Sequence, residues 1–230
     1  MNATALAVKN GHTKYRKSVR PATIKLFTDV LKPGKNNKKL GGLITKGRWK
    51  GKYLYSLTLE ERATCPRYCH HWDDCYGNNM PFAHRFDVSP DLLPAIHTHI
   101  NKLRNKHPMG IVIRLHVLGD FYSPEYVTFW EHMLDFWPAL CIFGYTARWG
   151  DDTQYAIHTQ LNRRYPNRCV IRYSRNLEYD ETLTARYATD ETFEGLAFTC
   201  PEQTGKAASC ADCGLCWSEG ATKSVRFLSH

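Results

Sequence analysis

The chain has 230 residues, 43% of them hydrophobic and 13% aromatic, which is enough for one sizeable core and argues against disorder. Its apolar runs fall short of the roughly eighteen residues of a membrane span, and the start from Met1 to Lys9 lacks the basic region of a secretory signal, so a cytoplasmic protein without membrane contact is expected. The net charge of +9 is uneven: residues 1–52 carry fourteen Lys or Arg against one acid, Asp29, a balance of +13 that leaves −4 for the remainder.

By composition, residues 1–52 are predicted as a basic N-terminal arm, with Lys32 to Lys39 as a loop, ahead of an α/β domain over residues 53–230. Tyr53 to Leu59 is rich in strand formers. Ser89-Pro90-Asp91 has the chemistry of a helix start: a capping hydroxyl, proline at the first position and an acid in the first turn. Leu92, Leu93, Ile96, Ile100 and Leu103 then form a helical stripe that His107-Pro108 ends. A strand is expected from Ile111 to Leu118, closing on Gly119-Asp120. Ser123-Pro124-Glu125 opens a second helix with Tyr126, Trp130, Met133 and Trp137 on one face. Leu140 to Tyr145 is a strand, Asp151-Asp152 opens a helix to about Arg164, Cys169 to Tyr173 is a strand, and Gly195 to Thr199 is read as the last one.

Strands alternating with helices predict right-handed βαβ units and a parallel sheet of roughly five to six strands. Such a count suits an open doubly wound sheet or a partial (β/α) barrel, and the partial barrel is preferred. Ligands gather beyond the carboxyl ends of parallel strands. Both cysteine-rich loops, Gly119-Asp120, Tyr145 to Arg148 and Ser174-Arg175 follow predicted strands, so they are expected on one face.

Of nine cysteines, Cys141 and Cys169 stand alone in apolar stretches and read as small buried hydrophobes. The other seven cluster, and in a reducing compartment clustered thiols are more often metal ligands than disulfides. Cys210-x2-Cys213-x2-Cys216 lets one loop reach three corners of a cubane cluster, and Cys200-Pro201 fits the distant fourth ligand of ferredoxin-type sites. Zinc is the rival, but three cysteines in one short loop, without a repeated two-cysteine knuckle, favour iron. Cys65-x3-Cys69-x5-Cys75 could hold three irons and leave one open. Alternatively His70, His71 or a tail cysteine closes that corner, and a single cluster shared by both sets stays open.

Three further residues are weighed. His116 reads as a satisfied core histidine. Asp120, at a strand end, could hold an ammonium, a metal-bound water or a ribose hydroxyl, or else cap its turn. Arg148 could clamp a carboxylate or phosphate, or form a surface ion pair. The cations of residues 1–52, interleaved with Tyr15, Phe27, Trp49, Tyr53 and Tyr55, suit either a nucleic-acid partner or a solvated arm.

The order of strand, three-cysteine loop, helix, strand, Gly-Asp and Ser-Pro-Glu resembles the first half of a radical S-adenosylmethionine (AdoMet) enzyme. That resemblance implies a [4Fe–4S] cluster on Cys65, Cys69 and Cys75, an AdoMet contact at Gly119 and Asp120, and an auxiliary cluster on the tail set. The pattern departs from that family in the five-residue last gap, in Asp74 before Cys75 with Tyr76 after it, and in Leu118 where the family has its first glycine. More closely, from Thr64 to Trp217 the chain is similar to a phage-encoded family of unassigned activity, the gene-product-eighty-eight proteins. The residues that carry this likeness are Cys65-Pro66, Cys75-Tyr76, His116-x-x-Gly119-Asp120-Phe121-Tyr122-Ser123, Tyr145-Thr146-Ala147-Arg148, and Cys200-Pro201 through Cys216-Trp217. It implies a phage or prophage origin, hence a host cytoplasm, together with a barrel-like α/β fold and a [4Fe–4S] cluster, and it supplies no reaction.

The expectation is therefore a phage-type iron–sulfur protein with one or two [4Fe–4S] clusters, redox or radical chemistry, and AdoMet as a candidate cofactor at Gly119, Asp120 and Arg148. The alternative is a zinc- or cluster-stabilised protein without catalysis that binds nucleic acid through residues 1–52.

Overall fold

A computed structural model describes residues 11–23, 29–174, 184–187, 197–218 and 224–228. Arg175, Gly195 and Leu196 of the predicted strand ends, and Phe27 of the basic segment, lie outside the described residues. The strands are β1 (Val19–Arg20), β2 (Lys32–Pro33), β3 (Tyr53–Ser56), β4 (Arg85–Phe86), β5 (Ile111–Leu115), β6 (Cys141–Thr146), β7 (Cys169–Ser174), β8 (Thr184–Tyr187), β9 (Ala197–Thr199) and β10 (Ser224–Phe227). The helices are α1 (Glu61–Thr64), α2 (Leu92–Lys106), α3 (Pro124–Phe136), α4 (Asp152–Ala156, running on as a π-helical turn to Asn162) and α5 (Cys210–Cys213).

The main sheet has eight strands in the order β2-β3-β5-β6-β7-β8-β10-β9, and β1 pairs with β4 apart from it. Every neighbouring pair in the main sheet is parallel except β2–β3. From β3 to β8 the order in space follows the order in the chain. With right-handed crossovers this winding sends each connecting helix to the same face, whereas a doubly wound sheet reverses its order and covers both faces. The protein is thus a mixed α/β fold dominated by parallel pairing. Among the described residues no pairing joins β2 to β9, so the sheet is open at that seam.

Side-chain alternation along the strands divides the interior. Ile111, Ile113, Leu115, Ile142, Cys169 and Ile171 face α2 and α3, where Ile96, Ile100, Tyr126 and Trp130 bury fully. Burying each such side chain contributes about 2–3 kcal/mol. Leu54, Val112, Cys141, Phe143 and Val170 face the other way, against Leu40, Ile44, Trp49, Cys210, Ala211 and Trp217. Cys141 and Cys169 are buried within these two cores. Described residues of the basic 1–52 segment contribute to both cores. Ala22, Val30 and Leu31 enter one core, Leu40, Ile44 and Trp49 the other, and β2 pairs with β3.

Several element ends differ from expectation for local reasons. Helix α2 starts at Leu92, with Asp91 as its non-bonding cap, and not at Ser89-Pro90. A start at Pro90 would place Pro94 beyond the first turn, where its missing N–H is needed; a start at Leu92 keeps Pro94 inside that turn. Helix α3 begins as predicted, with Ser123 Oγ accepting from the Tyr126 N–H and proline in the first turn. Strand β5 ends at Leu115 because the chain then turns toward the segment after β3: Val117 N donates to Leu57 O at 2.9 Å and Leu59 N to Leu118 O at 3.0 Å. The last strand is β10, inserted between β8 and β9. The searched, described residues contain no helix long and apolar enough to cross a membrane.

Candidate metal centre

The short helix α1 positions the first cysteine set. Cys65 follows it directly, its N–H donating to Glu61 O at 2.9 Å, which brings Glu61 and Cys65 to one side of the turn. Charged side chains of α1 and its cap residue Glu60 then tie the surrounding segments together. Arg62 donates to Trp72 O and, at 3.3 Å, to Asn78 Oδ1. Glu60 Oε1 accepts from the Thr13 N–H at 2.9 Å. Glu61 Oε2 accepts from Arg85 Nε at 2.7 Å, and Arg85, wholly buried, also donates to Ser18 Oγ and to the carbonyls of Gly77, Met80 and Ala83.

Cys65, Cys69 and Cys75 all line one cleft of about 490 Å³. Burial pushes all three thiols up, Cys65 well above its ordinary range and Cys69 to about 11, with the Asp120 carboxylate adding to the rise at both. Arg62 acts in the opposite direction at Cys69, and Arg62 and Arg85 do so at Cys75. The cleft is completed by Glu61, His71, Arg114, His116, Gly119, Asp120 and Tyr145, among others. Three of these residues hold buried polar atoms with no hydrogen-bond partner, Glu61 Oε1, Arg114 Nε and His116 Nδ1.

His116 is 3% exposed, and its Nε2 lies 2.9 Å from the Tyr126 hydroxyl. Desolvation, aided by Arg114, lowers its pKa to about 3, so the ring is neutral. Only half of its hydrogen-bonding capacity is therefore satisfied, unlike the core histidine expected from sequence. Asp120 Oδ1 accepts from the Phe121 N–H and Oδ2 from the Ala147 N–H, both at 2.7 Å, which ties the turn after β5 to the end of β6. Burial raises its pKa to about 6 against the pull of those donors. Gly119, at φ +89°, has no room for a side chain: a Cβ there would lie 2.7 Å from Leu59 Cβ and 2.8 Å from Thr64 Oγ1.

Arg148 is not among the cleft residues. Its guanidinium donates to Phe121 O at 2.7 Å and Thr64 O at 2.9 Å and pairs with Asp151 at 3.3 Å, so it braces the loops around Cys65 and Asp120. Of the adjacent histidines, His71 lines the cleft and pairs with Asp74 at 3.0 Å, while His70 is exposed.

The tail set forms a second neighbourhood. Ser209 caps α5 by accepting from the Asp212 N–H, and the loop is pinned to the N-terminal segment by Cys210 N to Lys39 O and Ala211 N to Leu40 O. Trp217 stacks on Trp49 at 5.4 Å and packs on Phe143 at 4.5 Å. Burial raises Cys210 to about 12 and raises Cys213 and Cys216 as well, with Cys200 and Cys216 among the charges acting on this group. Arg114 opposes the rise at Cys210, and Arg172 and Arg114 oppose it at Cys216. Cys216 packs against both the hydrophobic cluster that holds Cys210 and the one that holds Cys200, while Cys65, Cys69 and Cys75 line the cleft. Tyr145 bridges Cys216 and the cleft: it lines the cleft, donates its hydroxyl to Cys216 Sγ at 3.0 Å, and lies 4.6 Å from the Arg114 guanidinium. Among the described residues no three His, Cys, Asp or Glu side chains converge as a group able to hold a metal ion.

Sequence reasoning missed Glu61, Arg85, Arg114 and Arg172, and put Tyr145 on the site face without a role. One signal was present for the strand arginines: Val112-Ile113-Arg114 and Val170-Ile171-Arg172 repeat a cation inside otherwise apolar strands. Several cations of residues 1–52 are committed within the fold, Lys52 to Met109 O and Ala139 O at 2.8 Å each, Arg48 to Pro166 O, and Lys39 to Glu202.

Compared with known proteins, residues 29–219 match the family model described as Gene product 88, and the chain belongs to that family. No curated protein and no solved structure matches it.

Proposed function

We propose that this member of the gene product 88 family is an iron–sulfur protein, with one [4Fe–4S] cluster on Cys65, Cys69 and Cys75 at the cleft and a second on Cys200, Cys210, Cys213 and Cys216. The observation that carries the reading is the set of guanidiniums around the thiols. Arg62 and Arg85 act on the first set, Arg114 and Arg172 on the second. Arg62, Arg85 and Arg172 are themselves buried. Glu61 already compensates Arg85, so the cations available to offset buried thiolates are Arg62 at the first set and Arg114 and Arg172 at the second. The donor chemistry suits iron–sulfur ligation, since cluster ligands are thiolates and hydrogen bonds to their sulfurs tune them. A tetrahedral zinc would instead require four donors at about 2.0–2.3 Å from one point. A cluster distributes its thiolates over several irons.

When bound, such clusters supply one-electron transfer, and a cluster with three thiolates leaves one iron for another ligand. The chain's own residues prepare the surroundings. Trp49, Phe143 and Trp217 exclude water from the tail set, Arg148 and Asp120 fix the loops beside Cys65, and the cleft has the volume of a small-molecule site. AdoMet is the first small molecule to test there, with Gly119 and Asp120 at the cleft wall.

The deciding experiment is iron, sulfide and zinc analysis with a visible spectrum on anaerobically purified protein. Brown protein with a band near ~400 nm and roughly eight irons per chain is expected. AdoMet binding and reductive cleavage are then assayed by 5′-deoxyadenosine formation, which separates radical chemistry from simple electron transfer. Colourless protein holding zinc would overturn the proposal.

A further inference from the structure

Glu61 is an unusual residue to find unsatisfied. It is 2% exposed, one carboxylate oxygen is bound by Arg85, and the other, Oε1, has no hydrogen-bond partner. A desolvated carboxylate oxygen without a donor is costly, and a bound ion is one of the partners that can offset that cost. The position of Oε1 narrows what that partner is. A Cβ on Gly77 would stand 3.0 Å from Leu118 Cδ2, 3.3 Å from Glu61 Oε1 and 3.4 Å from Cys75 Sγ, so the oxygen and the sulfur approach the same side of the Gly77 backbone. Glu61 also precedes Cys65 by one helical turn, and its charge bears on both Cys65 and Cys75. In sequence the donors read Glu61-x3-Cys65-x3-Cys69-x5-Cys75.

We propose that Glu61 is the fourth ligand of the first cluster, through Oε1, on the iron that the three thiolates leave free; the inference rests on the iron–sulfur reading above. Ligation is an addition in which a lone pair of Oε1 forms one Fe–O bond and nothing is oxidised or reduced. Arg85 holds Oε2, which orients the other oxygen and prevents the side chain from turning away. A carboxylate is a harder, more exchangeable donor than a thiolate, so it protects the fourth iron at rest and yields it when a ligand enters the cleft. His71, the nearest alternative by sequence, is engaged by Asp74.

The test uses the full chain, reconstituted anaerobically and then treated with a stoichiometric mild oxidant, with iron counting and electron paramagnetic resonance as readouts. The wild type is expected to keep all its iron. Glu61→Gln, which retains an acceptor for Arg85, is expected to lose about one iron per chain and to give a three-iron cluster signal. Glu61→Cys is expected to keep the iron and shift the midpoint potential of that cluster. If Glu61→Gln does not fold, Glu61→Cys decides, and an unchanged potential overturns the inference. A wild type that itself yields the three-iron signal, a Glu61→Gln protein indistinguishable from wild type, or the signal arising from His116→Gln instead would also overturn it while leaving the cluster reading intact. Absence of iron from the wild type would remove both.

Discussion

Replacing Arg85 by methionine tests the frame around the first cysteine set. Arg85 is wholly buried and its five described hydrogen bonds reach Glu61, Ser18 and the carbonyls of Gly77, Met80 and Ala83. Methionine fills similar volume, so the cavity cost is small and the electrostatic cost dominates. Breaking a buried pair by removing one partner costs about 3–5 kcal/mol, because the remaining charge stays desolvated. The Met80 and Ala83 carbonyls are partly exposed and add little, whereas the buried Gly77 carbonyl adds to the loss. A loss of about 4 kcal/mol corresponds to a fall in Tm of roughly 8–16 °C for a chain of this size. The double variant Arg85→Met/Glu61→Met removes both charges, and replacing a buried pair by apolar groups is close to neutral, so it should recover at least about 2 kcal/mol. Urea and thermal unfolding after metal removal would read the ion pair without any ligand role of Glu61. A single-variant loss below about 1 kcal/mol, or a double variant no better than the sum of the singles, would refute the reasoning.

Two further substitutions test other parts of the cleft. Gly119→Ala places a methyl 2.7 Å from Leu59 Cβ at a φ of +89°, and both overpacking and backbone strain predict a loss of about 2–3 kcal/mol by urea unfolding; a near-neutral effect would show that the Leu59 segment can move. His116 titrates at about 3 when folded against 6.5 when free. Between those values the unfolded chain binds the extra proton, so stability is lost as pH falls from 6.5 toward 3, by about 1 kcal/mol between pH 7 and 5.5. Asp120, raised to about 6 from 3.8, acts with the opposite sign over its own window, and comparison with His116→Gln cancels it. The stability gap between wild type and His116→Gln should therefore narrow by about 1 kcal/mol over that interval, and a constant gap would refute the neutral-histidine assignment.

The parallel core was legible because its signals are local. The strand runs at Ile111, Leu140 and Cys169, and the capped start of α3, depend on residues a few positions apart. The short strands β1, β2, β4 and β8 were not legible, being pairs or quartets of residues whose pairing partners are remote in sequence. The basic segment was misleading in the same way. Its charges are surface properties, while its few apolar residues, from Val30 to Trp49, decide that it packs. In the site, cysteine spacing separated the two sets, but their environment depends on tertiary contacts. Glu61 and Arg85 are twenty-four positions apart, and Tyr145 and Cys216 seventy-one.

The two strand arginines join the fold to the proposed chemistry. Registers Arg114 to Phe143 and Tyr145 to Arg172 put the pair on opposite sides of β6, with Tyr145 two residues beyond Phe143 on the same strand face. Side chains at these positions point away from α2 and α3, toward the layer that contains Cys210 and Trp217. A sheet that needed only an apolar inner face would continue Val112 and Val170 with further aliphatic residues. Instead it sets a guanidinium two residues after each valine, half-buried at Arg114 and fully buried at Arg172, where the desolvation cost of a buried cation applies. Arg172 then donates to Cys216 O at 3.1 Å, Tyr145 to Cys216 Sγ at 3.0 Å, and Arg114 lies against the Tyr145 ring. That cost is offset where anionic thiolates occupy the tail set. Under the iron–sulfur proposal, a negatively charged centre on the tail set would be the partner of these cations.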